Sequence, residues 1–298
     1  MNDFDWAFLA ETLLGGLLAG VMYSLVAIGF VLIYKASGVF NFAQGSLVLS
    51  AALTFVTLRD HGISFLNATL LSLAIMITLA ILIERIVLRP LVGKPQITLF
   101  MATLGLSFVI EGLSQFFMGA AVHELDLGII DLPRAFGPIQ LSQFDLIAAG
   151  IAGTLVIVLS FFFSKTRTGI SLRAVAEDPQ AALSIGIRLQ RLWRIAWAVA
   201  GVVSLVAGLL WGSRQGVQFS LTFVVLKALP VLIIGGFTSI EGAIVGGLIV
   251  GASDSLAEIY LAPLLGGSVS TWFVYMLAVV FLLFRPSGLF GEKAIERV

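Results

Sequence analysis

Residues 7–34 read AFLAETLLGGLLAGVMYSLVAIGFVLIY, a run of 28 residues that decides the fold class. A helix rises 1.5 Å per residue, so about 20 apolar residues cross the roughly 30 Å of bilayer hydrocarbon. The same test along the chain gives about nine spans, at 7–34, 45–58, 63–88, 97–118, 145–163, 195–213, 221–238, 242–260 and 269–284. Helices satisfy their own backbone polar groups in lipid, and the period-2 alternation of a membrane barrel is absent. The expectation is an all-α polytopic membrane protein, with about 9 transmembrane helices (range 8–10), forming a single transmembrane domain over residues 1–298.

Composition agrees. The chain is 59% hydrophobic and 11% charged, against about 25% charged in soluble globular proteins. Net charge is zero, which gives no footprint for nucleic acid. The absence of cysteine excludes a disulfide framework, thiolate catalysis and a Cys-based metal site. Asp3 and Asp5 make the N-terminus acidic, whereas a cleavable signal peptide needs a positive one, so the first run is expected to stay as a span.

Lys and Arg set the orientation. With the N-terminus outside and sides alternating, thirteen fall on inner segments, three (Arg59, Arg134 and Arg214) on outer ones, and Lys227 within a span. This predicts a periplasmic N-terminus and a cytoplasmic C-terminus. Trp6, Tyr34, Trp193, Trp211, Tyr260 and Trp272 fall near span ends, where amphipathic rings prefer the headgroup zone. The outer loop 119–144, with Pro133 and Pro138, is expected to be irregular. Gly16/Gly20, Gly208/Gly212, Gly242/Gly246 and Gly247/Gly251 form GxxxG pairs suited to close helix packing.

Catalytic signatures are missing. No GxxxxGK[ST] or HExxH occurs, and both histidines, His61 and His123, lie in outer loops. The expectation is a membrane protein that is not an enzyme, with no cofactor or metal bound by this chain. Uphill transport then needs an ion gradient or a partner that hydrolyses ATP.

Three features carry functional readings. The second span is short, and the connection Ser37-Gly38-Val39-Phe40-Asn41-Phe42-Ala43-Gln44-Gly45 is expected to dip into the membrane, with Asn41 near a helix N-terminus facing a polar or anionic solute. An ordinary inner turn capped by Asn41 is the plainer alternative. Val31-Leu32-Ile33 recurs as Val231-Leu232-Ile233, each followed by a Gly-bearing turn, the second being Gly235-Gly236-Phe237-Thr238-Ser239-Ile240-Glu241-Gly242. The candidate pathway residues are therefore Asn41, Gln44, Gly45, Gly235, Gly236 and Ser239. The inner loop 164–194 is expected to carry a short helix over 179–185, with Asp178 as N-cap and Gly186 at its end, after a helical piece near 171–176.

Lys227 and Asp254 lie inside spans. Lys227 is 13 residues before Ile240 and Asp254 is 13 after Glu241, so an antiparallel hairpin places them at one depth. The reading is an intramembrane ion pair. The alternatives are that Lys227 attracts a substrate carboxylate, or that it snorkels to the headgroups.

Together, Gly20-Val21-Met22-Tyr23-Ser24-Leu25, Gly38-Val39-Phe40-Asn41-Phe42-Ala43-Gln44-Gly45, Arg173-Ala174-Val175-Ala176-Glu177-Asp178-Pro179, Lys227-Ala228, the 235–247 glycine run and Arg285-Pro286-Ser287-Gly288-Leu289-Phe290-Gly291 resemble the branched-chain amino-acid ABC transporter permeases. The resemblance implies a bacterial inner-membrane permease subunit that forms half of a pathway for branched-chain or other hydrophobic amino acids. It also implies a second permease, identical or homologous, two ATPase subunits that hold ATP and Mg, and a periplasmic substrate-binding protein. Arg173, Ala176, Glu177, Asp178, Pro179 and Ala181 match the segment that meets the ATPase. The chain departs from the family at Phe237-Thr238-Ser239, where many members read Gly-x-Gly-Ser. Permeases for urea, amides or aromatic acids stand as alternatives, as does an ion-coupled secondary transporter of small organic solutes.

Overall fold

The computed structural model describes residues 6–38, 40–91, 94–119, 121–177, 179–267 and 269–291. Asp178 and the chain ends lie outside the described residues. In order, the helices are α1 (Trp6–Ser37), α2 (Gln44–Asp60), α3 (Phe65–Ile83), α4 (Gln96–Met118), α5 (Gln143–Lys165), α6 (Arg167–Glu177), α7 (Pro179–Ser184), α8 (Leu189–Gln215), α9 (Leu221–Leu226), α10 (Ala228–Gly235), α11 (Ile240–Tyr260), α12 (Ala262–Leu265) and α13 (Phe273–Phe284). Six helical segments are long and apolar enough to cross a membrane: α1, Phe65–Leu91, α4, α5, α8 and α11. Large apolar side chains cover their outer faces. Leu66, Leu70, Phe108, Phe116, Phe117 and Phe161 are all exposed, an apolar surface suited to lipid and not to water. The chain is a mostly helical, multi-pass membrane protein.

Three of the nine expected spans are shorter than a full crossing. α2 has 17 residues and α13 has 12. The 221–238 run breaks at Lys227 into α9 and α10. Pro230 accounts for the break, because it has no N–H to return to Leu226. Pro90 acts in the same way on the end of α3. The backbone widens into a π turn over Glu84–Leu88, where the Arg89 N–H reaches back to Glu84 O, and then tightens into a 3-10 turn over Arg89–Leu91.

The loop 119–144 departs from the irregular structure expected of it. It holds a hairpin, β1 (Pro133–Phe136) antiparallel to β2 (Ile139–Ser142), with Phe136 opposite Ile139. Gly137 at φ 66° supplies the positive dihedral that a two-residue hairpin turn requires, and Pro138 follows it. Asp131 closes the base by accepting from Ser142 Oγ at 2.7 Å and Phe144 N at 3.3 Å.

The chain divides into two compact units, Met1–Ile28 with Gly128–Ile157 and Lys227–Val298, and Gly29–Leu127 with Val158–Leu226. In the first, α1 crosses α11 glycine on glycine. A Cβ on Gly251 would stand 2.3 Å from Gly16 O, and one on Gly20 would stand 2.6 Å from Gly247 O. Two of the GxxxG pairs thus pack against each other, backbone to backbone. Ser24 Oγ sits at the same crossing and donates to Gly20 O at 2.9 Å, with Ile244 O a further acceptor at 3.2 Å.

In the second unit α2 is central and packs against α3, α4, α8 and α9. Twelve of its 17 residues are buried, so it shows no polar face. Gly208 of α8 lies on α2, with its Cβ position 2.5 Å from Val48 O.

Candidate functional site

The connection between α1 and α2 folds back on α1. Gly38 turns the chain at φ 68°. Phe40 then stacks on Phe30 at 4.8 Å, and Thr103 Oγ1 donates to Phe40 O at 3.2 Å. Phe30 lies seven residues before the end of α1, so the chain has doubled back by about 10 Å. Phe42 continues the aromatic seam against Phe100 at 4.7 Å. The first turn of α2 is thus set beside the interior of α1 and α4, not at their ends.

The polar residues of this turn are spent internally. Asn41 and Gln44 are fully buried. Asn41 Oδ1 accepts the Ala43 N–H at 3.2 Å and its Nδ2 donates to Gln44 Oε1 at 3.4 Å, while Gln44 Nε2 donates to Ser204 Oγ at 3.1 Å. The N-cap of α2 is Ala43, so Asn41 makes an Asx turn and not the cap its sequence position suggested. Gly45 packs with its Cβ position 3.1 Å from Thr222 O.

The counterpart turn belongs to the other unit. α10 ends at Gly235, and Gly236 adopts φ 107°. Ser239 caps α11, its Oγ accepting the Gly242 N–H at 2.9 Å and donating to Glu241 Oε2 at 3.2 Å. The Arg285–Gly291 motif closes this turn. Leu289 N donates to Ile234 O at 2.8 Å and Phe290 N to Gly235 O at 3.0 Å. A Cβ on Gly236 would stand 2.6 Å from Gly291 N, so only glycine allows the segment to lie there.

Lys227 and Asp254 meet in the first unit. Lys227 Nζ lies 2.9 Å from Asp254 Oδ2, and Tyr23 Oη donates to the same oxygen at 3.4 Å. Their side chains keep 22% and 13% of their exposure, so the pair is mostly withdrawn from solvent. Asp254 Oδ1 is buried with no hydrogen-bond partner among the described residues. Tyr23 is a third member that sequence reasoning missed. It stands 231 residues from Asp254, and its position on α1 carries no charge signal.

A second polar cluster was also missed. Glu111 lies in α4 and is 9% exposed. Ser46 Oγ on α2 donates to its Oε1 at 2.8 Å, Ser107 Oγ stands 3.3 Å from the same oxygen, and the two hydroxyls are 2.7 Å apart. One turn further along both helices, Ser50 and Ser114 pair at 2.8 Å. The available signal was a carboxylate inside an apolar run, with serines at helical spacing on α2 and α4.

The 164–194 loop forms α6 and then α7. Leu172, Val175 and Ala182 are buried, while Arg173, Ala176 and Ala181 are exposed. Arg173 Nη2 donates to Ser164 O at 3.0 Å. α7 begins at Pro179 and closes at Gly186, which takes φ 85° as Ile187 N returns to Ala182 O at 3.0 Å. Asp178, expected to cap it, lies outside the described residues, and only the backbone of Glu177 and Pro179 is described. Beside α7, a half-open cavity of about 330 Å³ is lined by Arg89, Leu183, Arg188, Leu189, Gln190 and Trp193. Among the described residues its lining holds two guanidinium groups and no carboxylate. Arg89 Nη2 bonds Gln190 Oε1.

Comparison with known proteins agrees with this architecture. The chain is 27% identical to the high-affinity branched-chain amino acid transport system permease protein BraD of Pseudomonas aeruginosa, over 97% of each chain. It is 27% identical to the permease protein LivH of Escherichia coli K12, over 99% of each chain. It is 28% identical to a probable LivH permease of Methanocaldococcus jannaschii, over 95% of this chain and 94% of that one. Among solved structures, PsaBC from Streptococcus pneumoniae in complex with Fab superposes with a TM-score of 0.52 at 14% identity, covering 94% of this chain and 91% of that one. That likeness speaks to the fold alone. Residues 12–285 match the family described as the permease component of the branched-chain amino acid transport system, and the chain belongs to that family.

Proposed function

We propose that the chain is one of two permease subunits of an ATP-driven importer in the bacterial inner membrane, carrying branched-chain or other hydrophobic amino acids. The single observation that carries this is the family match over residues 12–285, together with full-length relatives named as branched-chain amino acid permeases. A second permease, two ATPases that bind ATP and Mg, and a periplasmic binding protein complete the assembly. The N-terminus faces the periplasm and the C-terminus the cytoplasm, a reading supported by the bias of Lys and Arg toward one set of loops.

α7 is the docking element for the ATPase. It is a single short helix with Ala181 exposed, so a partner backbone can approach closely. The cavity beside it presents Arg89 and Arg188 to acidic groups on the partner. Ala181→Arg should leave the permease folded and lower coupled uptake about tenfold, since an overpacked contact of 1–3 kcal/mol has that effect. Uptake and binding-protein-stimulated ATP hydrolysis are measured together in the reconstituted complex. Full retention of both would refute the docking role.

A further inference from the structure

Glu111 is an ionisable group seven residues inside the end of α4, about 10 Å from that end, and is withdrawn from solvent. Among the described residues no cation pairs with it, and its hydrogen-bond partners are the hydroxyls of Ser46 and Ser107. The Ser50–Ser114 pair lies one turn further along, while Ile110 is buried and Val109 and Leu113 face outward. An intramembrane carboxylate without a countercharge is costly to keep and marks a functional site by default. Packing does not require it, because an amide or a third serine would accept the same hydroxyl bonds without the charge.

We propose that Glu111, Ser46 and Ser107 form a subsite for the primary ammonium group of the transported solute. The inference rests on the importer reading above and narrows its substrate class to ammonium-bearing solutes. Three oxygens, Glu111 Oε1, Ser46 Oγ and Ser107 Oγ, lie within 3.3 Å of one another. A primary ammonium has three N–H donors and one positive charge, which match three acceptors and one negative charge. Three oxygens are too few for a hard metal cation, which takes six or more. In the conformation described, the triad satisfies itself, and an entering ammonium takes over those bonds as α2 and α4 part. Ser46 sits in the first turn of α2, directly after the re-entrant connection. The subsite is therefore carried on the element whose start lies at depth. Urea and simple amides have no ammonium and gain nothing from it.

Glu111→Gln tests this, because the amide keeps an oxygen for both serines and removes only the charge. The variant is assembled into the full complex and assayed in proteoliposomes for ATP-dependent uptake of leucine, normalised to assembled complex. The expected result is normal assembly, normal basal ATP hydrolysis and uptake reduced about tenfold or more, the size carried by a charge-assisted hydrogen bond. Ser114→Ala, which lies outside the triad in the neighbouring Ser50 pair and leaves the charge in place, should retain most uptake. Uptake by E111Q within twofold of wild type would overturn the proposal. So would failure of E111Q to assemble, or equal losses in E111Q and S114A, since each places Glu111 in the scaffold. Wild-type import of leucine distinguishes these failures from failure of the importer reading. A wild-type complex that imports urea or an amide but no amino acid would overturn both.

Discussion

Lys227→Asp and Asp254→Lys should each strip most of the folded permease from the membrane, and the double exchange should restore a substantial part of it. Each single change replaces an ion pair of 2.9 Å with two like charges facing each other in a low-dielectric site. Breaking one partner of a buried pair costs roughly 3–5 kcal/mol, and the low end applies because the side chains keep 22% and 13% of their exposure. About 3 kcal/mol is more than a hundredfold in the ratio of folded to unfolded protein. The exchange restores opposite charges on the same two helices, although Tyr23 Oη, which donates to Asp254 Oδ2, then faces a Lys and reduces the recovery. Yield of monodisperse protein in detergent is the readout. If Lys227 served to attract a substrate carboxylate, the exchange would restore nothing in transport. If it snorkelled to the headgroups, the singles would resemble wild type.

Gly251→Val should be as severe for a different reason. The added Cβ would stand 2.3 Å from Gly16 O and 2.4 Å from Gly20 Cα. Both are backbone atoms of α1, so no rotamer change relieves the overlap and the helices must separate. Overpacking costs about 1–3 kcal/mol where side chains yield, and a backbone collision lies at or above the top of that range. Gly15, on the partner helix α1, is the control, since a Cβ there meets nothing within 4 Å. Gly15→Ala should be neutral or stabilising by up to about 1 kcal/mol through helix propensity. Thermal unfolding in detergent, tracked by the loss of the size-exclusion peak, separates the two. Equal behaviour of the two variants would remove the glycine crossing from the account.

Much of this architecture could be read from the sequence because hydropathy is a local property. The long runs became the six long helices, and the equal spacing of Lys227 and Asp254 from one turn placed them together. The breaks were harder, because they lie inside runs that remain apolar throughout. Pro230 splits α9 from α10 and Pro90 widens the end of α3, each by withholding one N–H. The hairpin at Gly137-Pro138 was read as irregular because its prolines outweighed four-residue strands with little alternation.

The functional clusters were less legible. Asn41 and Gln44 were read as pathway candidates, and the sequence did not report that their side chains bond each other, Ala43 N and Ser204. Ser46 and Glu111 are 65 residues apart, and Tyr23 and Asp254 are 231 apart. Whether such residues meet depends on how each helix is rotated about its axis. That rotation is set by glycine crossings such as Gly20 on Gly247, which no local pattern reports.

The central claim is that this chain transports only as part of an ATP-driven complex. The direct measurement compares liposomes holding the purified chain alone, under an imposed proton or sodium gradient, with liposomes holding the chain, its partner permease, the ATPases and the binding protein. The account predicts no leucine uptake in the first under either gradient, and uptake in the second that requires internal ATP and the binding protein. Gradient-driven accumulation by the chain alone would contradict it.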